Sequence, residues 1–140
     1  MAIHPIFDTS TVIKYRSKLK PVLRVAYFPS LVFFELVATS ISRNELKLYS
    51  TWRNEFNKTN QILSPTESDI WETAKVIRRL YINKIAPQTK LLTLRTDALI
   101  ARHSIKQKDS FIVTDDVDDF LIIKREMKDL RVISAEEFFA

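Results

Sequence analysis

The chain has 140 residues, 46% of them apolar, and a formal net charge of +5. That length and apolar content suit one domain (1–140) with its own core and argue against disorder. The absence of cysteine excludes disulfides, thiolate metal sites and a Cys nucleophile. Two histidines far apart argue against a His-based zinc site. Any metal must then be held mainly by oxygen, which points to Mg²⁺ or Mn²⁺. Glycine is absent too, which removes the Gly-rich phosphate loops and leaves tight turns to Asn, Asp and ordinary residues.

Met1-Ala2-Ile3-His4-Pro5 has no basic start followed by an apolar run. The longest uncharged stretch, Val25 to Phe34, is too short to cross a bilayer. A cytoplasmic protein without a membrane segment is expected.

Ile3 to Phe7 reads as a first strand, and Thr9 to about Lys18 as a helix capped by Asp8 or Thr9 and broken by Pro21. Leu23 to Phe28 is β-prone and reads as a second strand. Ser30 is placed to cap a helix over Leu31–Ile41 that is apolar nearly all round and therefore expected to be buried. Arg43–Lys58 is amphipathic, with Leu48 or Tyr49, Trp52 and Phe56 at helical spacing.

Ile62-Leu63 suits a short third strand. Ser64-Pro65-Thr66-Glu67 reads as a helix start, with Ser64 at N-cap and Glu67 closing a capping box. That helix is expected to reach Ile82 with Ile70, Ala74, Ile77 and Tyr81 inward. Pro87–Leu94 reads as a loop, and Thr96 as the cap of a helix from Asp97 to about Lys106. Ser110–Thr114 reads as a fourth strand, Asp115–Asp119 as an acidic loop, Leu130–Ile133 as a last strand and Ala135–Phe139 as a short helix. The alternation predicts an α/β fold, with a central parallel sheet of four to five short strands flanked by helices on both faces.

Two of these strands run directly into acid: Phe7-Asp8 and Thr114-Asp115-Asp116. In an open parallel sheet, chemistry gathers at the carboxyl ends of strands. Glu35 lies inside the apolar run Leu31–Ala38, where an ionised carboxylate is costly unless paired or bound to a cation. Asp97 opens a helix, where an acid also simply complements the helix dipole. Clustered carboxylates repel, and a hard divalent ion relieves that repulsion. The basic run Lys14, Arg16, Lys18, Lys20 and Arg24 follows the first acid, and a basic surface beside acids suits a polyanion. Solvated charge explains each of these residues equally well.

The order Phe7-Asp8-Thr9-Ser10, Ser30 with Glu35-Leu36, Asp97-Ala98-Leu99-Ile100-Ala101, and Thr114 to Phe120 resembles the PIN-domain family, especially ribonuclease toxins of the VapC type. The closing stretch Leu130–Phe138 also looks like that family's end. The resemblance spans nearly the whole chain. It implies a Mg²⁺- or Mn²⁺-dependent ribonuclease, the toxin of a type II toxin–antitoxin pair. Asp8, Glu35, Asp97 and Asp116 would be the catalytic and metal-ligating acids, with Asp119 as a further ligand. The acid at Asp115 departs from the family, where a basic residue is frequent, and blurs which acid of the loop is the ligand.

Thr9, Ser10 and Thr114 carry hydroxyls beside these acids and would orient ligands or water, although Thr9 also suits helix capping. Lys14, Arg16, Lys18, Lys20 and Arg102 are the expected RNA contacts, with His103 behind them. Trp52 and Trp71 suit packing better than base stacking. The resemblance also implies an RNA substrate, a homodimer and a small antitoxin partner. A non-catalytic PIN-like module that binds RNA or protein is the alternative. A phosphatase or response-regulator-like domain is discounted, because no Lys is well placed after a further strand.

Overall fold

The computed structural model describes residues 3–140; Met1 and Ala2, the start of the N-terminal segment read above, lie outside the described residues. The chain opens with β1 (His4–Phe7) and passes through Asp8 into α1 (Thr9–Tyr15), which two 3-10 turns, Arg16–Lys18 and Lys20–Val22, follow. Asp8 is the N-cap, accepting the Thr11 amide at 3.2 Å. The expected strand over Leu23–Phe28 shrinks to β2 (Phe28–Pro29). Its first half is consumed by the turn, where the amides of Val25 and Ala26 both donate to the Val22 carbonyl.

Next come α2 (Ser30–Ala38) and α3 (Arg43–Lys58). α2 starts from Pro29 rather than a Ser30 side-chain cap. It is buried on one face only, through Val32, Phe33 and Leu36, while Phe34 is 70% exposed. α3 has the predicted bounds, and Ser42 caps it. Tyr49, Trp52 and Phe56 turn inward, and Phe56 stacks on Phe28 at 4.5 Å between ring centroids.

β3 (Ile62–Leu63) leads to α4 (Glu67–Ile82). The helix starts two residues later than predicted: Thr66 is the N-cap and Asp69 closes the capping box. This start puts Asp69 inside, beside Arg102 at 3.0 Å and Lys106 at 2.8 Å. The buried positions are therefore Asp69, Thr73, Val76 and Leu80, one step round from the expected face. Ile70 and Tyr81 are left exposed.

The expected loop after Pro87 is instead α5 (Gln88–Thr93), which buries Leu91. α6 (Arg95–Lys106) begins before Thr96, so that residue lies in the first turn and is not its cap. β4 (Ser110–Thr114) has the predicted bounds and is buried at every position. α7 (Val117–Lys124) takes up the second half of the expected acidic loop. β5 (Val132–Ser134) and α8 (Ala135–Phe138) end the chain.

The α/β class holds, but the central sheet of four to five strands does not. Among the described residues, the main sheet has three parallel strands in the order β1-β4-β5, and β2 and β3 form a separate parallel pair. The two sheets touch through one bridge, Ile6 with Tyr27. The backbone explains the break. Tyr27 N donates to Pro5 O, but the next amide, Phe28 N, donates the other way to Gln61 O. Pro29 then has no N–H, and Ser30 is already helical. A continuous sheet would need more ladder than this two-residue strand offers.

With no glycine available, left-handed turns fall to Asn60 (φ 57°), Lys84 (φ 56°) and Asp109 (φ 60°). Asn and Asp tolerate this region; Lys84 bears the steric cost of its Cβ. The core runs under the sheet through Ile6, Phe7, Ile112, Val113, Phe120 and Leu130, all fully buried. Each such side chain contributes about 1.5–3 kcal/mol of transfer free energy.

Candidate acidic site

The carboxyl ends of β1 and β4 are neighbours, because Phe7 pairs with Val113. Asp8 and the segment Asp115–Asp116 therefore leave the sheet side by side. Asp8 is 3% exposed. Thr114 Oγ1 donates to its Oδ2 at 2.7 Å, and the Asp116 amide donates to Thr114 Oγ1 at 2.8 Å. Burial pushes the Asp8 carboxyl up from its ordinary value, against hydrogen bonds from Thr11 and Thr114, and the charge of Asp116 adds to the rise.

Asp97 comes from the first turn of α6. Its carboxyl is pushed up to about 7, first by burial and then by the charges of Asp8, Asp119, Asp116 and Glu35. Acids from α2, α6, the β1 end and the β4–α7 junction thus share one electrostatic neighbourhood. Glu35 accepts a 2.6 Å hydrogen bond from Thr9 Oγ1, so Thr9 orients an acid and Asp8 takes the capping role. Ser10 Oγ reaches Asp116 Oδ2 at 3.5 Å.

The acids of this segment differ in their partners. Asp115 turns to Lys14 (3.1 Å) and Tyr15 OH (3.4 Å), while the charges of Asp116 and Asp119 bear on Asp97. Asp119 is in turn paired with Lys90 at 2.7 Å.

Among the described residues, no three carboxylate or imidazole groups stand close enough to make a ready-built metal cage. The donor set is nonetheless all oxygen, with the Asp97 carboxyl pushed up to about 7 by burial first and by its acidic neighbours second. It fits a Mg²⁺-like ion that uses one or two carboxylates and keeps several waters. One or two of Asp8, Asp97, Asp116, Glu35 and Asp119 would hold it directly, the others through its waters.

The expected RNA contacts divide. Lys14 lies at the acidic rim, held by Asp115. Arg16 is committed to the fold: Nη1 donates to Tyr49 OH at 2.7 Å and lies 3.7 Å from Glu45. Lys18 and Lys20 are exposed. Arg102, also expected to contact RNA, faces α4, where it pairs with Asp69. His103 is buried, with Nε2 lacking a hydrogen-bond partner. Trp52 lies in the core and Trp71 is 62% exposed.

Two residues of the site escaped the sequence reading. Thr11 donates its amide to Asp8, and its Oγ1 accepts the Asp115 amide at 3.2 Å. Its place three residues after a capping Asp was the available signal. Lys90 sits in a stretch taken for a loop, and nothing local marks it.

No protein-family model matches the chain, and no curated protein does either. Solved structures are similar. One is a chain of VapBC2 from Rickettsia felis bound to a DNA fragment from their promoter, at TM-score 0.60 and 16% identity over 94% of this chain and 98% of that one. Another is a chain of FitAcB from Neisseria gonorrhoeae, at TM-score 0.59 and 16% identity over the same shares. The PIN-domain recognition is corrected accordingly: with no matching family model and a three-stranded main sheet, what stands is a likeness of fold to chains of VapBC2 and FitAcB.

Proposed function

We propose that the chain belongs to a toxin–antitoxin system and acts in it as a divalent-metal-dependent nuclease on RNA. The likeness to chains of VapBC2 and FitAcB, both toxin–antitoxin complexes, supports the first part. The second part rests on one observation: Asp97 feels Asp8, Asp119, Asp116 and Glu35 at once, although they are dispersed along the chain. Such an arrangement costs stability, and a cation-assisted reaction gives it a purpose.

A divalent ion bound there lowers the pKa of a water and offsets charge on a scissile phosphate. The protein's own part is positional. Thr114 fixes Asp8 and the start of the Asp116 segment together, and Thr9 fixes Glu35. Lys18 and Lys20 are free to meet the polyanion's backbone, which gives affinity without base readout. The partner protein has apolar surface to cover, including Phe34, Val37 and Leu46 around a cleft between α2 and α3.

The test is cleavage of a structured RNA with and without EDTA, repeated with Asp8→Asn. Loss of cleavage in each case supports the nuclease. Cleavage that survives both overturns it. The non-catalytic binding module is the second reading; RNA binding without stabilisation by Mn²⁺ or Mg²⁺ in a thermal melt would favour it.

A further inference from the structure

The acidic cleft carries its own cation. Lys90 and the segment 115–119 line an open cleft of about 350 Å³. Lys90 Nζ lies 2.7 Å from Asp119 Oδ1, and its charge also couples to Asp116 and Asp97. The backbone beneath it is fixed, since Leu91 and Leu94 on either side of the α5 end are buried. The side chain itself is 40% exposed. It can therefore leave Asp119 for water without crossing the core.

Lys14 offers a contrast. It pairs with Asp115, which turns to the rim, whereas the partner of Lys90 is one of the acids that act on Asp97. An ammonium in that position repels a divalent ion approaching the same carboxylates.

We propose that Lys90 is a built-in competitor for the divalent ion: its ammonium holds Asp119 in the metal-free protein and releases it as the ion enters. The inference rests on reading the cleft as a divalent-ion site. Lys90 is a positioning residue in this scheme, setting the threshold at which the cleft loads.

The experiment is Mn²⁺ titration by calorimetry, with thermal melts alongside, on the wild type, Lys90→Gln, Lys90→Arg, Asp97→Asn, and Asp119→Asn with and without Lys90→Gln. Lys90→Gln is expected to bind Mn²⁺ about two- to five-fold more tightly, the range for releasing one half-exposed ion pair. Its metal-free melting temperature should fall, because an acid loses its counter-ion. Lys90→Arg should stay near the wild type, and in an Asp119→Asn background Lys90→Gln should have no further effect. Equal or weaker Mn²⁺ binding by Lys90→Gln overturns the competition and leaves the nuclease reading standing. Absence of Mn²⁺ binding in both the wild type and Lys90→Gln overturns both. Equal binding by Asp97→Asn and the wild type places the ion outside the cleft and likewise overturns both.

Discussion

Thr114 Oγ1 bridges two strand ends: it donates to Asp8 Oδ2 at 2.7 Å and accepts the Asp116 amide at 2.8 Å. One hydroxyl therefore sets the relative position of acids 108 residues apart. Thr114 is itself fully buried, so neither bond is replaced by water when it is lost. Thr114→Val keeps the shape and removes the oxygen, leaving a buried carboxylate with one donor fewer. The expected loss is about 1–3 kcal/mol by urea unfolding, with Thr114→Ser recovering most of it. Mn²⁺ affinity should fall in the Val variant and return in the Ser variant.

Asp97 should behave oppositely. Burial and the charges of Asp8, Asp119, Asp116 and Glu35 hold its carboxyl near 7, so its ionised form strains the metal-free fold. Asp97→Asn removes that charge at nearly constant volume. The metal-free protein should gain on the order of 1–3 kcal/mol at pH 8. The same variant should lose its Mn²⁺-dependent stabilisation and its RNA cleavage. A destabilised Asn variant would show that the carboxylate's hydrogen bonding outweighs the repulsion. Opposite signs for stability and function in one substitution are the mark of a site kept at the fold's expense.

Where the sequence reading succeeded, the signal was local. β4, α3 and β3 have their predicted bounds because a short apolar run or an amphipathic period defines each without help from elsewhere. Asp8 and Asp116 were legible as strand-end acids for the same reason. The failures share a different cause. The start of α4 moved from Ser64 to Thr66 because Asp69 finds Arg102 and Lys106 across a helix interface that no local window contains. That choice turned Ile70, Ala74 and Tyr81 outward and set Arg102 against Asp69. Lys90 was invisible because its importance lies wholly in a tertiary contact with Asp119. The width of the sheet was overestimated because periodicity cannot show that the Phe28 amide points to Gln61 rather than to β1.

The α4–α6 interface predicts how stability depends on pH. Desolvation pushes the buried Asp69 carboxyl up. Hydrogen bonds from Lys106, the Thr66 amide, Arg102 and the Thr66 hydroxyl outweigh it and hold the group well below the usual carboxylate range. A depressed carboxyl stabilises fully above its unfolded value and is lost as pH falls below about 4 toward the folded value. His103, buried beside it, is also depressed, first by desolvation and then by Lys106 and Arg102, against the opposing charge of Asp69. The unfolded chain then binds the His proton first, so this loss begins as pH falls below about 6.5. Chemical denaturation from pH 8 to 3 should show both decreases. His103→Phe should flatten the upper one. Asp69→Ala should flatten the lower one and cost about 1–3 kcal/mol at pH 7, discounted for the partly exposed cations and including the lost capping box.

The basic segment after α1 separates structural charge from binding charge. Arg16 donates to Tyr49 OH, and Tyr49 is 1% exposed, so Arg16→Ala leaves a buried hydroxyl without that partner. Its expected cost is about 1–2 kcal/mol of stability, with little change in affinity for RNA. Lys18 and Lys20 are exposed and should show the reverse. Lys18→Ala with Lys20→Ala should leave the melting temperature nearly unchanged and weaken RNA binding. If both contact phosphates, the slope of log affinity against log salt should become shallower by about 0.7 per lysine for a single strand. The measurement should use catalytically dead Asp8→Asn protein so that cleavage does not deplete the ligand. An unchanged slope would remove this segment from the RNA path.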